Sequence, residues 1–157
     1  MRYVLVDRIL ALTPRERLRA VKNVTATDGV AVSDGPGMPR LPAAMLLESM
    51  AQAAGLLVVA SLSEAAQPVL AKVQAFAVSA PPRPGDRVEL EASLDDLRPE
   101  GARLHVTAAV DGCVIASAVV VLALVHIDAE DQRALLASRL AALFPAWFAP
   151  AAPEAVR

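Results

Sequence analysis

The stretch VSDGPGMPRLPAAMLLESMAQAAG, from Val32 to Gly55, holds the residues best placed to do chemistry. Glu48 is the lone acid in an almost wholly apolar run, and Asp34 sits in the turn-rich loop before it. An unpaired ionised carboxylate is expensive to bury, so Glu48 must be paired, neutral, turned toward a cavity or poorly covered. A carboxyl group held in apolar surroundings keeps its proton to higher pH and can donate it near neutrality. Plainer readings stand beside this one: Asp34 caps backbone N–H groups of an SDGPG turn, and Glu48 hydrogen bonds to Gln52 one helical turn on. The other reactive side chains have less company. His105 shares strand parity with Arg103 and Thr107 and is expected on a solvated face, while His126 is expected to pair with Asp128 at the surface. Cys113 follows an Asp-Gly turn without a helper base, and no spacing resembles a metal-ligand set, so neither thiol nor metal chemistry is expected.

These residues need a frame, and 157 residues suit one domain with a real core. A hydrophobic share of 55% with a formal net charge of -2 argues against disorder and against general attraction to nucleic acid, which leaves small molecules and protein partners. The single cysteine cannot close an intrachain disulfide, and MRYVLVDRIL lacks the basic and apolar regions of a signal peptide, so a cytoplasmic location is expected. The run from Ala43 to Ala60 is long and apolar enough to imitate a membrane span. Glu48, Ser49 and Gln52 within it, and strands elsewhere that need covering, favour a central helix surrounded by protein over a span.

The segments YVLVDRILAL and LRAVKNVTAT read as two strands around a break at Thr13 to Glu16. The loop from Asp28 to Pro39 carries three glycines and two prolines, and Pro42 then opens a helix near Ala43, where its missing N–H costs least. After a Gln67-Pro68 break, VLAKVQAFAVS, RVELEASLDDL, ARLHVTAAV and CVIASAVVVLALVHI read as four strands separated by PRPGD, RPEG and DG turns. The last is apolar enough to be covered on both faces or to border another subunit. Leu135, Leu136, Leu140 and Leu143 follow helical spacing. The expected organisation is α+β: an antiparallel sheet wrapped around a long central helix over residues 1–128, an amphipathic C-terminal helix over 129–146 and a flexible tail over 147–157.

LVDRIL with VKNVTAT, PGMPRLPAAMLLESMAQAAG, and RPGDRVELEASL with AAVDGCVIASA occur in colinear order over roughly residues 3–125. In these pieces the chain resembles the beta-hydroxyacyl-acyl-carrier-protein dehydratases of fatty acid synthesis, which have the hotdog fold. The middle piece is the most specific, following the family's G-H-F-P-G-x-P-x-x-P-G-x-L-x-x-E-x-M-A-Q. Pro36, Gly37, Pro39 and Pro42 fall on the family's prolines and glycine, and Glu48 falls on its helix acid. The family's catalytic histidine is replaced by Asp34, its phenylalanine by Gly35, and a glycine at the helix start by Ala43. The chain begins almost directly at RYVLVDR, so the family's N-terminal helix is expected to be missing.

The resemblance implies elimination of water from a 3-hydroxyacyl thioester on an acyl carrier protein, with no cofactor. It implies Glu48 as the acid that helps the hydroxyl leave and Asp34 at the position of the base, the two sharing a proton if they meet. It also implies substrate binding by the backbone N–H of Ala43 and by Gly37. Aspartate is an ordinary base near pKa ~3.9 against ~6.5 for histidine, so the exchange weakens the base. Sites in this family combine residues from two subunits of a dimer, so a homodimer or a heterodimer with a histidine-bearing dehydratase is expected. Arg83, Arg87 and Arg98 are candidates for meeting the acidic carrier. The alternatives are a non-catalytic acyl-binding or scaffold subunit and a hotdog thioesterase.

Overall fold

Apolar side chains at every second position make the first two segments strands, and the polar break between them makes a hairpin. In the computed structural model, which describes residues 4–28, 39–62 and 66–148, β1 (Arg8–Thr13) and β2 (Arg17–Asn23) pair antiparallel across that break, with Arg15 at φ 65°. Helix α1 (Ala43–Ser61) begins where the prolines predict, with Pro42 at its N-cap accepting from the N–H groups of Met45 and Leu46. Then follow β3 (Ala66–Val78), β4 (Arg87–Arg98), β5 (Gly101–Val110) and β6 (Cys113–His126), and after them α2 (Glu130–Leu143) and the short α3 (Pro145–Phe148).

The described strands form one six-stranded antiparallel sheet in the order β1-β2-β4-β5-β6-β3. The DG turn joins β5 to β6 with Asp111 at φ 50° and Gly112 at φ 79°, the signs a type I′ hairpin requires. Every second residue of the central strands points inward: Leu90 and Ala92, Leu104 and Val106, Val120 and Leu122 are buried against Leu46, Met50, Ala53, Ala54 and Leu57 of α1. Small residues in the middle of that helix face let it lie close to the sheet. This sheet around one long helix is the hotdog fold, an α+β architecture.

Three expectations change. First, α1 is apolar all round but is covered on one side only. Ala53, Ala54, Leu57 and Val58 are buried, whereas Glu48 is exposed and Gln52, Leu56 and Val59 are half-buried. Among the described residues α1 alone is long and apolar enough to cross a membrane, and half of its most apolar window is buried inside the chain. Second, Gln67-Pro68 does not interrupt the chain but lies within β3. An edge strand tolerates proline because one side of its backbone has no ladder to join. Third, β6 does not border a free edge. It pairs with β5 and β3, and β3 holds the edge, with Val69 and Leu70 exposed.

Candidate active site

Glu48, Gln52, Gly55, Leu56 and Val59 recur at helical spacing and form the side of α1 turned away from the sheet. Across from them lie Val4 to Val6 before β1, Gln67 and Pro68 of β3, and Leu136, Leu140, Leu143 and Phe144 at the C-terminal end. Together these residues enclose an open cavity of about 500 Å³, within the usual range of small-molecule sites. Among the described residues the cavity wall is apolar apart from Glu48 and two glutamine amides, with Phe144 its one aromatic ring.

Glu48 resolves its own question. It is exposed in the single chain rather than enclosed in grease, it lines the cavity, and it is paired: Gln52 Nε2 donates to Glu48 Oε1 at 3.0 Å. The backbone N–H of Leu5 donates to Gln52 Oε1 at 2.8 Å. A backbone N–H can only donate, so this bond fixes which end of the amide is oxygen and turns the NH₂ group toward Glu48. The acid is therefore held by a two-bond relay from the N-terminal segment through α1.

Asp34 and Gly37 lie outside the described residues, as do Gly35 and Pro36. The two ends of that loop are described and fastened. At its start, Lys22 Nζ meets Asp28 Oδ2 at 2.8 Å, and Asp28 also accepts from the N–H of Thr25 at 2.7 Å. Burial alone would push the Asp28 carboxyl up, but the Lys22 ammonium and the Thr25 N–H outweigh it and hold it below the usual carboxylate range. At its end, the N–H of Leu41 donates to Pro82 O at 2.8 Å, and Arg40 donates to Pro81 O. Ala43 opens α1 with no side-chain cap on that helix start.

Sequence reasoning overlooked Lys22, which is 3% exposed. A signal was there: Leu18 and Ala20 face inward, and the same parity puts Lys22 inward, where a charge needs a partner. Of the candidate carrier-facing arginines, Arg83 and Arg87 lie at one end of β4 and Arg98 at the other. Arg87 pairs with Glu89 and Arg98 with Asp96, at opposite ends of β4 and so ~35 Å apart at ~3.3 Å per residue. His105 is exposed on β5, as its parity predicts, and Cys113 is exposed. His126 Nε2 lies 3.2 Å from Pro99 O rather than in the expected pair with Asp128. No group of three or more potential metal ligands occurs among the described residues.

The sheet and the long helix against it define a hotdog-fold protein, and solved structures share that fold. A Streptococcus mutans UA159 protein, smu.793, solved bound to acetyl CoA, superposes with a TM-score of 0.65 at 9% identity, over 80% of this chain and 94% of that one. A putative thioesterase from Ralstonia eutropha JMP134 gives 0.62 at 18% identity, over 73% and 82%. Sequence narrows the class: the chain belongs to the FabA-like domain family, whose model matches residues 1–119. It is 32% identical over 124 residues to the 3-hydroxyacyl-[acyl-carrier-protein] dehydratase FabZ of Herpetosiphon aurantiacus, covering 78% of this chain and 88% of that protein. The FabZ of Polynucleobacter asymbioticus is 34% identical over 117 residues, covering 74% and 78%. The chain is thus dehydratase-like in sequence, and its α2 and α3 lie beyond the family match.

Proposed function

We propose that this chain is a 3-hydroxyacyl-carrier-protein dehydratase that eliminates water from a 3-hydroxyacyl thioester, with Glu48 as its acid. The observation that carries the reading is the oriented pair Glu48–Gln52 on the wall of a cavity, at the two positions where the family pattern has its acid and its glutamine. In the reaction a base takes a proton from C2, the C2–C3 double bond forms, the C3–O bond breaks, and the hydroxyl leaves with a proton from Glu48 as water. A backbone N–H at the start of α1, that of Ala43, would donate a hydrogen bond to the thioester oxygen as negative charge grows on it, aided by the positive end of the helix. Gly37 would let the loop backbone approach the substrate closely.

The base is either Asp34 or a histidine from a second dehydratase subunit. A dimer suits β3, a 13-residue strand with exposed Val69 and Leu70 that ends the sheet of described strands and so presents an edge to a second chain. An acyl carrier protein as substrate donor belongs to the same reading, supported by the names of the FabZ relatives, and no cofactor and a cytoplasmic setting go with it as what the family resemblance implies. The rival thioesterase reading draws on the structural neighbour with that name and shares the acyl cavity.

The test is turnover of a 3-hydroxyacyl carrier-protein thioester, followed as mass loss of water, by the wild type, Asp34→Asn, Glu48→Gln and Asp34→His. Loss of a positioned acid or base costs on the order of 10²–10⁴ in rate. Wild-type dehydration abolished by both removals assigns the base to Asp34. An inert wild type revived by Asp34→His points to a partner that supplies the histidine. Release of free thiol without enoyl product, or inertness of all four proteins, sinks the dehydratase reading.

A further inference from the structure

The family match ends at residue 119, yet the wall of the Glu48 cavity does not. Leu136, Leu140 and Leu143 of α2 and Phe144 after it face Glu48, Leu56 and Val59 across the cavity. The C-terminal end is pinned there: Phe144 is 7% exposed and belongs to the core, and Phe148 packs on that core with its ring 6.5 Å from that of Phe144. The helix body is held less closely. No residue of α2 is fully buried, and Leu136 and Leu140 are only half-covered, because what they face is the cavity. A helix that ends in a core anchor and turns Leu136 and Leu140 toward an open volume has the makings of a pocket wall.

We propose that α2 is the wall that sets how long an acyl chain this pocket accepts, with Leu136 and Leu140 as specificity-determining residues. The proposal rests on the acyl-thioester reading of the Glu48 site and adds to it a part of the chain that the family match leaves out. The lining argues for the ligand's chemistry. Aliphatic walls suit a flexible saturated chain, and the polar groups among the described residues are Glu48 with the amides of Gln52 and Gln67. Among the described residues the lining holds no Lys, Arg or His, so a free fatty acid would bring a carboxylate without a described cation to meet it. A thioester has an uncharged head and carries no such cost.

The experiment is direct binding to the full chain, by calorimetry, of N-acetylcysteamine thioesters of saturated acids of increasing length, with the matching free acids alongside. The proteins are the wild type, Leu136→Trp, Leu140→Trp and, as control, Leu135→Trp, whose side chain is 51% exposed and off the cavity. Each indole should exclude about two methylenes, which weakens the longest thioesters about tenfold. The shortest thioesters should keep their affinity, the control should match the wild type, and free acids should bind more weakly than thioesters. Equal affinities for all four proteins, a loss that is the same at every length, a control that repeats the loss, or a wild type that binds no thioester overturns the proposal. Binding does not need turnover, so the two readings separate. A shifted length profile in a chain that never dehydrates keeps this inference and removes the dehydratase assignment; dehydration with an unmoved profile does the reverse.

Discussion

Gln52 is the residue through which Glu48 is positioned, because its amide orientation is fixed by the N–H of Leu5. Gln52→Leu keeps the size but removes both bonds, and kcat for dehydration should fall about tenfold with KM nearly unchanged, as for a lost hydrogen bond that positions the acid. An equal rise in KM would make Gln52 a substrate contact instead. Lys22 and Asp28 form the other informative pair, because Lys22 is buried and Asp28 is its counter-charge. Asp28→Asn should cost about 3 kcal/mol at neutral pH by leaving the buried ammonium without its counter-charge, held only by the Asn23 carbonyl, whereas the double change Lys22→Met with Asp28→Leu should cost far less. The carboxyl of Asp28 is held below its ordinary value in the fold. Its stabilisation is therefore full above the unfolded value of ~3.9 and is lost as pH falls through the lower folded value. Urea unfolding across the acid range checks this: wild type should lose more stability on acidification than Asp28→Asn.

Between elements, glycines report how closely backbones approach. A Cβ on Gly101 at the start of β5 would stand 2.6 Å from the carbonyl oxygen of Leu122 in β6, so Gly101→Ala forces the strands apart and should cost ~1–3 kcal/mol. Gly55 in α1 is the counter-case. Its Cβ would sit 3.5 Å from Pro68 Cγ, an ordinary contact, and alanine favours a helix over glycine by ~1 kcal/mol, so Gly55→Ala should be neutral or stabilising. Thermal unfolding of both variants decides it, and a reversed order would mean the close approach at Gly101 relaxes without cost. Ser61 shows how α1 is tied to the hairpin: its hydroxyl donates to Leu57 O at 2.6 Å and accepts from Arg15 N at 2.8 Å.

At the scale of the whole molecule, the sheet of described strands has two unlike edges. β1 ends the sheet as a short strand, while β3 ends it as a long apolar one. Sedimentation of the full chain should find a dimer, and Leu70→Lys, which puts a charge on that edge, should shift it toward monomer. A wild-type monomer at high concentration would remove β3 as an interface. The side of α1 left uncovered by the sheet is where the N-terminal segment, β3 and α2 meet around the cavity, so the site is built by parts distant in sequence.

Local physics fixed much of this in advance. Prolines and glycines set the start of α1, Asp111-Gly112 set a hairpin, and alternation set the inward faces of β4, β5 and β6, because each depends on neighbours in the chain. The acid of the site was legible for the same reason, as a single charge in an apolar helix. Only the tertiary structure decided which sides of α1 are covered, since a helix apolar all round carries no periodic signal to orient it. Strand order was also beyond local reading: β3 and β6 are both apolar, and their pairing, separated by two strands in sequence, is what leaves β3 at the edge. The pairing of Lys22 with Asp28, and the approach of Leu136 and Leu140 to Glu48, depend likewise on how the elements pack in space.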